Sequence, residues 1–307
     1  MKRVLVVQYS QSGQLVDVLS NLVAPLRADP LVELTVETLA PATPYPFPWP
    51  ILRFFDTFPE AVYLDAPPLA PLRVDPALRF DLVIVGYQAW FLSPSLPVTA
   101  FLKSDAARRL LAGTPVVTVV ACRDMWLMAQ EQVKLLLAAC GARLVGHVAL
   151  VDEAGSVGSF LATPIWVMSG VKGPLLGGLI PRAGVRPEEI RASRRFGERI
   201  GAVLRRGGPL DESLLADLGA VKVNERLISS ERAIRSGFRI WGRLLRALGP
   251  QGAIQRKPVL VLYIVWLVAM ILTVVPLAAL TKTLLAPFTR TRIAAQKAYY
   301  GAPSGSR

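Results

Sequence analysis

Val4–Leu19 reads VLVVQYSQSGQLVDVL. Its first four residues, Val4–Val7, are a short continuous apolar run, the pattern of a parallel strand buried on both faces. The run ends at Tyr9, a small polar loop follows, and apolar residues then recur at helical spacing from Gln14 to Leu26. A strand that passes into a helix in this way leaves the free N–H groups of the helix at the C-terminal edge of a sheet. Those groups and the helix dipole form an anion site. Ser10 and Ser12 add hydroxyls, and Gly13 permits a tight turn and close backbone approach. No Lys follows Gly13, so the stretch is not a Walker A loop, and no GxGxxG is present, so it is not a dinucleotide fingerprint. The loop suits a monophosphate held by backbone and hydroxyl groups.

Four further strands are expected at Leu31–Leu39, Asp81–Gly86, Pro115–Ala121 and Arg143–Val151, with helices over Val98–Ala112 and Met125–Ala139. Strands alternating with helices imply right-handed crossovers and an α/β, doubly wound, five-stranded parallel sheet. One connection is unusually long. Ala40–Phe80 begins with PATPYPFPWPILRFF, where Pro44, Pro46, Pro48 and Pro50 forbid regular structure. A connection of this length is a lid or functional loop in one reading and a rigid packing loop in the other. Gly158–Pro181 is apolar but broken by Gly and Pro, too interrupted for a spanning helix, and suits an apolar pocket lining or a membrane-surface dip. Pro187–Arg206 reads as the last amphipathic helix of this domain, with Pro at its first turn and Glu188 and Glu189 at the positive dipole end.

The chain of 307 residues is 52% apolar with a mean hydropathy of +0.43. Its net charge of +13 is unevenly placed: residues 1–221 hold 21 Lys/Arg against 20 Asp/Glu, and residues 222–307 hold 14 against 2. The basicity belongs to the C-terminal third, and without a reader fold nucleic acid is disfavoured as a partner. Cys122 and Cys140 are the only cysteines, without a CxxC, so neither a disulfide framework nor a metal site is expected. MKRVLVVQYS is too briefly apolar for a signal peptide, which leaves the first domain in the cytoplasm.

Within that basic third, Glu231–Leu248 carries Arg232, Arg235, Arg239, Arg243 and Arg246 on one side and Ile234, Phe238, Trp241, Leu245 and Leu248 on another. Such a helix either lies on an anionic membrane face or docks on the domain. Pro258–Thr281 is 24 residues without a charge, long enough to cross a hydrocarbon core of roughly 30 Å, with Pro276 as a kink. A monotopic or re-entrant hairpin is the rival, because Leu284–Phe288 is again apolar beyond Lys282. Arg256 and Lys257 precede the stretch and Arg290 and Arg292 follow it, so flanking charge does not set orientation. The expected division is residues 1–206 as the α/β domain, 207–257 as linker and basic helix, 258–281 as the membrane-embedded helix and 282–307 as a basic tail.

The SQSGQL loop and the order of elements over residues 1–206 resemble flavodoxin. The resemblance implies a flavodoxin-like fold with FMN at the switch point of the sheet, held by Ser10, Gln11, Ser12, Gly13, Gln14 and Leu15 and by the loops Tyr87–Ser95 and Cys122–Trp126. Flavodoxins commonly carry a second hydroxyl residue where this chain has Leu15. Tyr87, Gln88, Ala89, Trp90, Phe91, Cys122 and Trp126 are the candidate ring contacts. Tyr87, Trp90, Phe91 and Trp126 offer aromatic faces to a flat π-system. More narrowly, YSQSGQL, DLVIVGYQAWFLSPSLPV, ACRDMW and TPIWVMSG together are similar to the flavodoxin-like proteins of bacterial dialkylresorcinol and aryl-polyene clusters, the dialkylresorcinol condensing enzyme type. That family implies a role beside a ketosynthase, aromatising a dialkyl cyclohexanedione to the resorcinol.

Other chemistry is thinly supplied. His147, the one histidine, lies inside a strand, the place of a satisfied core residue, so Ser–His–Asp or Cys–His catalysis has little to draw on. Cys122 beside Arg123 is a reactive thiol in one reading and a buried structural one in the other. Arg123 and Asp124 suit polarisation of a ketone and proton abstraction from the adjacent carbon, or else a loop ion pair. Three functional readings follow: a cytoplasm-facing, membrane-anchored FMN oxidoreductase acting on a lipidic ring, a flavodoxin-type electron carrier or quinone reductase at the membrane, and a flavin-free membrane scaffold of a lipid-synthesis complex.

Overall fold

The computed structural model describes residues 1–152 and 155–303, with side chains at all of these except 155–157, 159–160 and 274–289. In chain order the elements are β1 (Lys2–Gln8), α1 (Gln14–Arg27), β2 (Val32–Thr38), α2 (Ile51–Asp56), α3 (Phe58–Tyr63) and β3 (Leu82–Tyr87). A two-residue hairpin, β4 (Ala89–Trp90) and β5 (Ser93–Pro94), leads to α4 (Leu96–Lys103) and α5 (Asp105–Leu111). Then come β6 (Pro115–Cys122), α6 (Leu127–Ala139), β7 (Arg143–Val151), α7 (Gly155–Ser169), α8 (Pro187–Ala192), α9 (Arg194–Arg206), α10 (Glu225–Ala247) and α11 (Arg256–Gly301). The main sheet is parallel throughout, in the order β2-β1-β3-β6-β7. This is the flavodoxin-like doubly wound order, whose switch point lies between β1 and β3.

Alternation along the strands sorts the core into two layers. Val4, Val6, Leu82, Ile84, Val117 and Val119 face α1 and α9. Leu5, Val7, Val83, Val85, Val116 and Val120 face the other side, where α4, α5 and α6 pack. Full burial of each such Val or Leu contributes roughly 1.5–3 kcal/mol.

Several helices differ from their sequence pattern. The expected helix Val98–Ala112 breaks at Ser104, which is extended and whose Oγ accepts from Ala107 N–H at 3.1 Å. Pro187–Arg206 breaks at Ser193, whose buried hydroxyl lies within hydrogen-bonding distance of the carbonyls of Ile190 (2.7 Å) and Val18 (3.2 Å). The first half of Gly158–Pro181 is helical in spite of Pro164, because Ala162 and Trp166 bury against Ala183, Phe47 and Ile180. Packing outweighs the lost backbone bond there.

The largest revision concerns the C-terminal third. The apolar face of α10 is not free to meet a membrane: Phe238 and Leu245 are buried, with Ile234 and Trp241 beside them, in the same core layer as Leu5 and Val85. The docked-helix alternative therefore describes α10, leaving Arg232, Arg239 and Arg243 exposed. The start of α11 joins that layer through Leu260 and Tyr263, the latter stacked on Phe58 at 4.4 Å. Arg256, 1% exposed, pairs with Glu60 at 2.7 Å and Asp56 at 3.4 Å, and its Nε reaches the carbonyls of Leu245 and Gly249. Helix α11 does not end at Thr281 but continues to Gly301. Pro276, Lys282 and Leu284–Phe288 lie outside the described side chains, and Ser304–Arg307 outside the described residues.

Close approach of α9 to α1 rests on one glycine. A Cβ at Gly197 would overlap the carbonyl oxygen of Leu22, a backbone atom that cannot swing aside. At Gly201, one turn on, the nearest atom is Leu26 Cδ2 at 3.3 Å. Gly197→Ala should therefore cost about 1–3 kcal/mol through overpacking, despite the gain of about 1 kcal/mol in helix propensity. Gly201→Ala should cost much less. Denaturant unfolding of the two variants reads the contrast.

Candidate functional site

The switch point has the loop that the sequence describes. Gly13 occupies the N-cap position of α1 at φ 83, and no side chain caps the helix. A Cβ on Gly13 would meet nothing within 4 Å, so the positive φ, and not crowding, calls for glycine. Ser10 Oγ is buried and without a hydrogen-bond partner. Ser12 is half-buried at the rim. Leu15 turns inward, fully buried beneath Gly86, so it offers the loop only its backbone.

Neighbouring loops close on this one. Gln11 N–H donates to Gln88 Oε1 at 3.3 Å, and Gln11 Nε2 donates to the carbonyl of Pro46 at 2.8 Å. Gln88 thus ties the β3 exit to the β1 exit, and Pro46 brings the proline-rich segment over both. Gln14 is buried against Gly184, where a side chain would collide with its amide. Gly184 N–H donates to Asp152 Oδ2 at 2.8 Å, joining the β7 exit to the same rim.

An aromatic cluster stands beside the loop. Trp90 packs edge-on against Tyr45 (5.1 Å), Trp49 (5.8 Å) and Tyr9 (6.0 Å). Tyr45 Oη and Trp49 Nε1 are buried without partners, as is Ser95 Oγ at the head of α4. Phe91 packs on Phe54 at 4.9 Å and Phe58 at 5.6 Å. Tyr9, Tyr45 and Trp49 are absent from the sequence-derived ring contacts. The signal was the alternation of Pro with Tyr45, Phe47 and Trp49, which places every second side chain on one side of an extended segment.

Two expected ring contacts belong to the core instead. Tyr87 is fully buried, and its hydroxyl donates to Gln130 Oε1 at 2.8 Å. Gln130 Nε2 donates to Thr118 Oγ1 at 3.2 Å, and Thr118 Oγ1 meets His147 Nδ1 at 2.8 Å. Trp126 is buried against the His147 ring at 4.9 Å. Neither aromatic face is open to a ligand, because strand alternation points Tyr87 at α6 and Trp126 fills the layer beneath it. Burial holds His147 neutral, its pKa lowered to about 3, in keeping with a core role.

The β6 exit is governed by a distant carboxylate. Glu231 of α10, 0% exposed, accepts from Met128 N–H at 2.9 Å and Leu127 N–H at 3.3 Å, capping α6 across more than a hundred residues. Asp124 Oδ2 accepts from Asn224 Nδ2 at 3.2 Å. Burial lowers the Arg123 pKa, with Asp124 and Asp152 opposing that shift. Burial, with Glu231 and Asp124 adding, raises the Cys122 thiol well above its ordinary range, so it is a neutral thiol. Asn224 and Glu231 carry no sequence signal at this site, since only tertiary folding brings α10 to it.

No family model and no curated protein matches the chain. Among solved structures it is similar to a flavoprotein in complex with FMN from Lactobacillus acidophilus NCFM, at 15% identity and TM-score 0.40, over 48% of this chain and 93% of that one. It is similar to a flavodoxin, WrbA-like protein from Agrobacterium tumefaciens, at 14% identity and TM-score 0.35, over 67% and 99%. It is also similar to an oxidised flavodoxin 1 from Bacillus cereus, at 16% identity and TM-score 0.31, over 50% and 87%. Likenesses of this strength do not speak to chemistry.

Desolvation raises the Glu231 pKa to about 7, outweighing the backbone N–H groups that favour the carboxylate. A folded value above the unfolded one means that the folded state holds the proton more tightly. The associated stability is complete below the unfolded pKa and is lost as pH rises through about 7. Glu231→Gln keeps an acceptor and removes the titration. Raising the pH from about 5 to about 8 should destabilise the native protein relative to this variant, by about 3 kcal/mol at most. Paired urea titrations at the two pH values measure the difference.

Proposed function

We propose that the chain is a membrane-held, FMN-dependent oxidoreductase that acts on a lipidic ring compound. The observation that carries the cofactor assignment is the buried, unpartnered Ser10 Oγ beside an α1 head that no side chain caps. A phosphate there would take the Ser10 hydroxyl, the Ser12 hydroxyl and the first N–H groups of α1. Tyr45 Oη, Trp49 Nε1 and Ser95 Oγ are further buried polar atoms without partners on the adjoining loops, suited to a polar-edged planar group beside Trp90. Gln88 and Gln11 would orient it from the rim.

The substrate class is supported by aromatic continuity between this site and α11. Trp90, Trp49, Phe54, Phe91, Phe58, Tyr263 and Trp266 form an unbroken series with ring separations of 4.4–6.1 Å. Among the described residues one helix is long and apolar enough to cross a membrane, with its apolar window at Arg256–Thr273. A molecule with alkyl chains would partition into the bilayer and meet apolar side chains as far as the site. An electron carrier would share the phosphate seat but have no use for this series.

The finer reading, from the resemblance to dialkylresorcinol proteins, is aromatisation of a dialkyl cyclohexanedione delivered by a ketosynthase. That conversion removes two electrons and two protons from the ring, and FMN, when bound, supplies the two-electron acceptor. Arg123 would polarise a ring carbonyl, and Asp124, held by Asn224, would take a proton from the neighbouring carbon. The aromatic walls would exclude water.

The test is the visible spectrum of the detergent-solubilised protein and chromatography of what heat releases. The expected result is a flavin spectrum and released FMN. A colourless protein that takes up no added FMN overturns the proposal. Ser10→Ala should weaken FMN binding about 10- to 100-fold, the loss of one charge-assisted hydrogen bond. Quenching of flavin fluorescence gives the affinity.

A further inference from the structure

Helix α11 cannot be straight. Near its start Trp266 lies against α10, with Cη2 3.2 Å from the position a Cβ would take on Gly237. Near its end the Tyr300 hydroxyl accepts from Arg232 of α10 at 3.0 Å. The Tyr299 hydroxyl donates to Glu131 of α6 at 2.8 Å, and Lys297 pairs with Glu225 of α10 at 2.7 Å. Gly237 and Arg232 are five residues apart on α10, a rise of about 8 Å. Trp266 and Tyr300 are 34 residues apart on α11, which a straight helix would separate by about 51 Å. Side chains cannot close a mismatch of about 40 Å. Both ends of α11 are therefore held against the same stretch of α10.

We propose that α11 is a helical hairpin that dips into one leaflet of a lipid bilayer and returns, so that Arg256 and Tyr300 lie on the same side. This rests on the membrane reading above and deepens it. The occupant of the exposed apolar surface is lipid for three reasons. Val261, Val265, Val268 and Leu272 follow one another at helical spacing on the outgoing arm, 48–70% exposed. They form a stripe away from the docked residues Leu260, Tyr263 and Leu267. Among the described residues none covers that stripe, although both ends of the helix are clasped. At the return, Arg290 and Arg292 are exposed, basic residues suited to anionic headgroups.

Crossing is excluded by counting. Two ends held by one domain require an even number of crossings. The return arm has only Leu284–Phe288 between Lys282 and Arg290, five apolar residues where a crossing needs about 20. From Lys282 to Arg290 a helix rises about 12 Å, less than half of a hydrocarbon core of roughly 30 Å. The number of crossings is therefore zero. Helical backbone satisfies its own polar groups in lipid, so the excursion is feasible on both arms.

The experiment uses the full chain with a short epitope tag at each end, in sealed inverted vesicles and in spheroplasts. Added protease should remove both tags from intact inverted vesicles and neither from spheroplasts. Removal of the C-terminal tag from spheroplasts alone would establish a span and overturn the hairpin. Protein that leaves the vesicles on carbonate washing overturns the membrane reading, and with it this proposal. Geometry is tested separately in detergent by a bis-maleimide across Glu225→Cys and Lys297→Cys. An intramolecular cross-link is expected, and its absence in a folded variant overturns the reversal whatever the membrane result.

Discussion

Helices that follow buried parallel strands all present unsatisfied N–H groups to one edge of the sheet, and the molecule is organised by what meets them. At the head of α6 the partner is Glu231, a carboxylate drawn from α10 and enclosed on every side. At the head of α1 no side chain caps the helix, and the buried Ser10 hydroxyl has no partner. The edge is thus divided into an α6 head satisfied internally and an α1 head that no side chain caps.

The same carboxylate fixes the register of the C-terminal helices. With Glu231 seated at α6, Phe238 falls between Phe58 and Phe91, and Tyr263 of α11 stacks on Phe58. Arg256 then reaches Asp56 and Glu60 from the α10–α11 turn. An arginine so enclosed is tolerable because two carboxylates and two carbonyls share its charge. These helices belong to the core layer that contains Leu5 and Val85. Helices beyond residue 206 thus pack into the same layer as the strands.

How much of this was legible in the sequence follows from the range of each interaction. Val4–Val7 and the turn at Gly13 declare a buried strand and an uncapped helix head because both signals are local. The five strands and their doubly wound arrangement follow from alternation in the same way. Tyr87 and Trp126 were misread as ring contacts because an aromatic at a strand exit can point to the loops or to the adjacent helix. Only the partners Gln130 and His147 decide which. Glu231 and Asn224 were invisible at the site, since nothing local distinguishes a capping carboxylate from a solvated one a hundred residues away. The charge asymmetry of residues 222–307 was real, but its apolar helix face turned inward.

Antiparallel packing of α11 on α10 sets the level that Thr273 reaches. Tyr263 lies against Trp241 and Phe238, and Trp266 against Gly237, so each step forward on α11 is a step back along α10. Continuing that count, Thr273 is level with Ser230, next to Glu231. Glu231 marks the strand-end edge, because it caps the helix that follows β6. Thr273 is therefore at the level of the candidate site and not at the opposite pole of the sheet. An apolar compound drawn from the bilayer along α11 would arrive beside the β6 exit, where Asp124 and Asn224 sit. In the proposed arrangement anchor and site face the same direction because one helix, α10, holds both. Its carboxylate closes the α6 head, and its flank carries the first turns of α11.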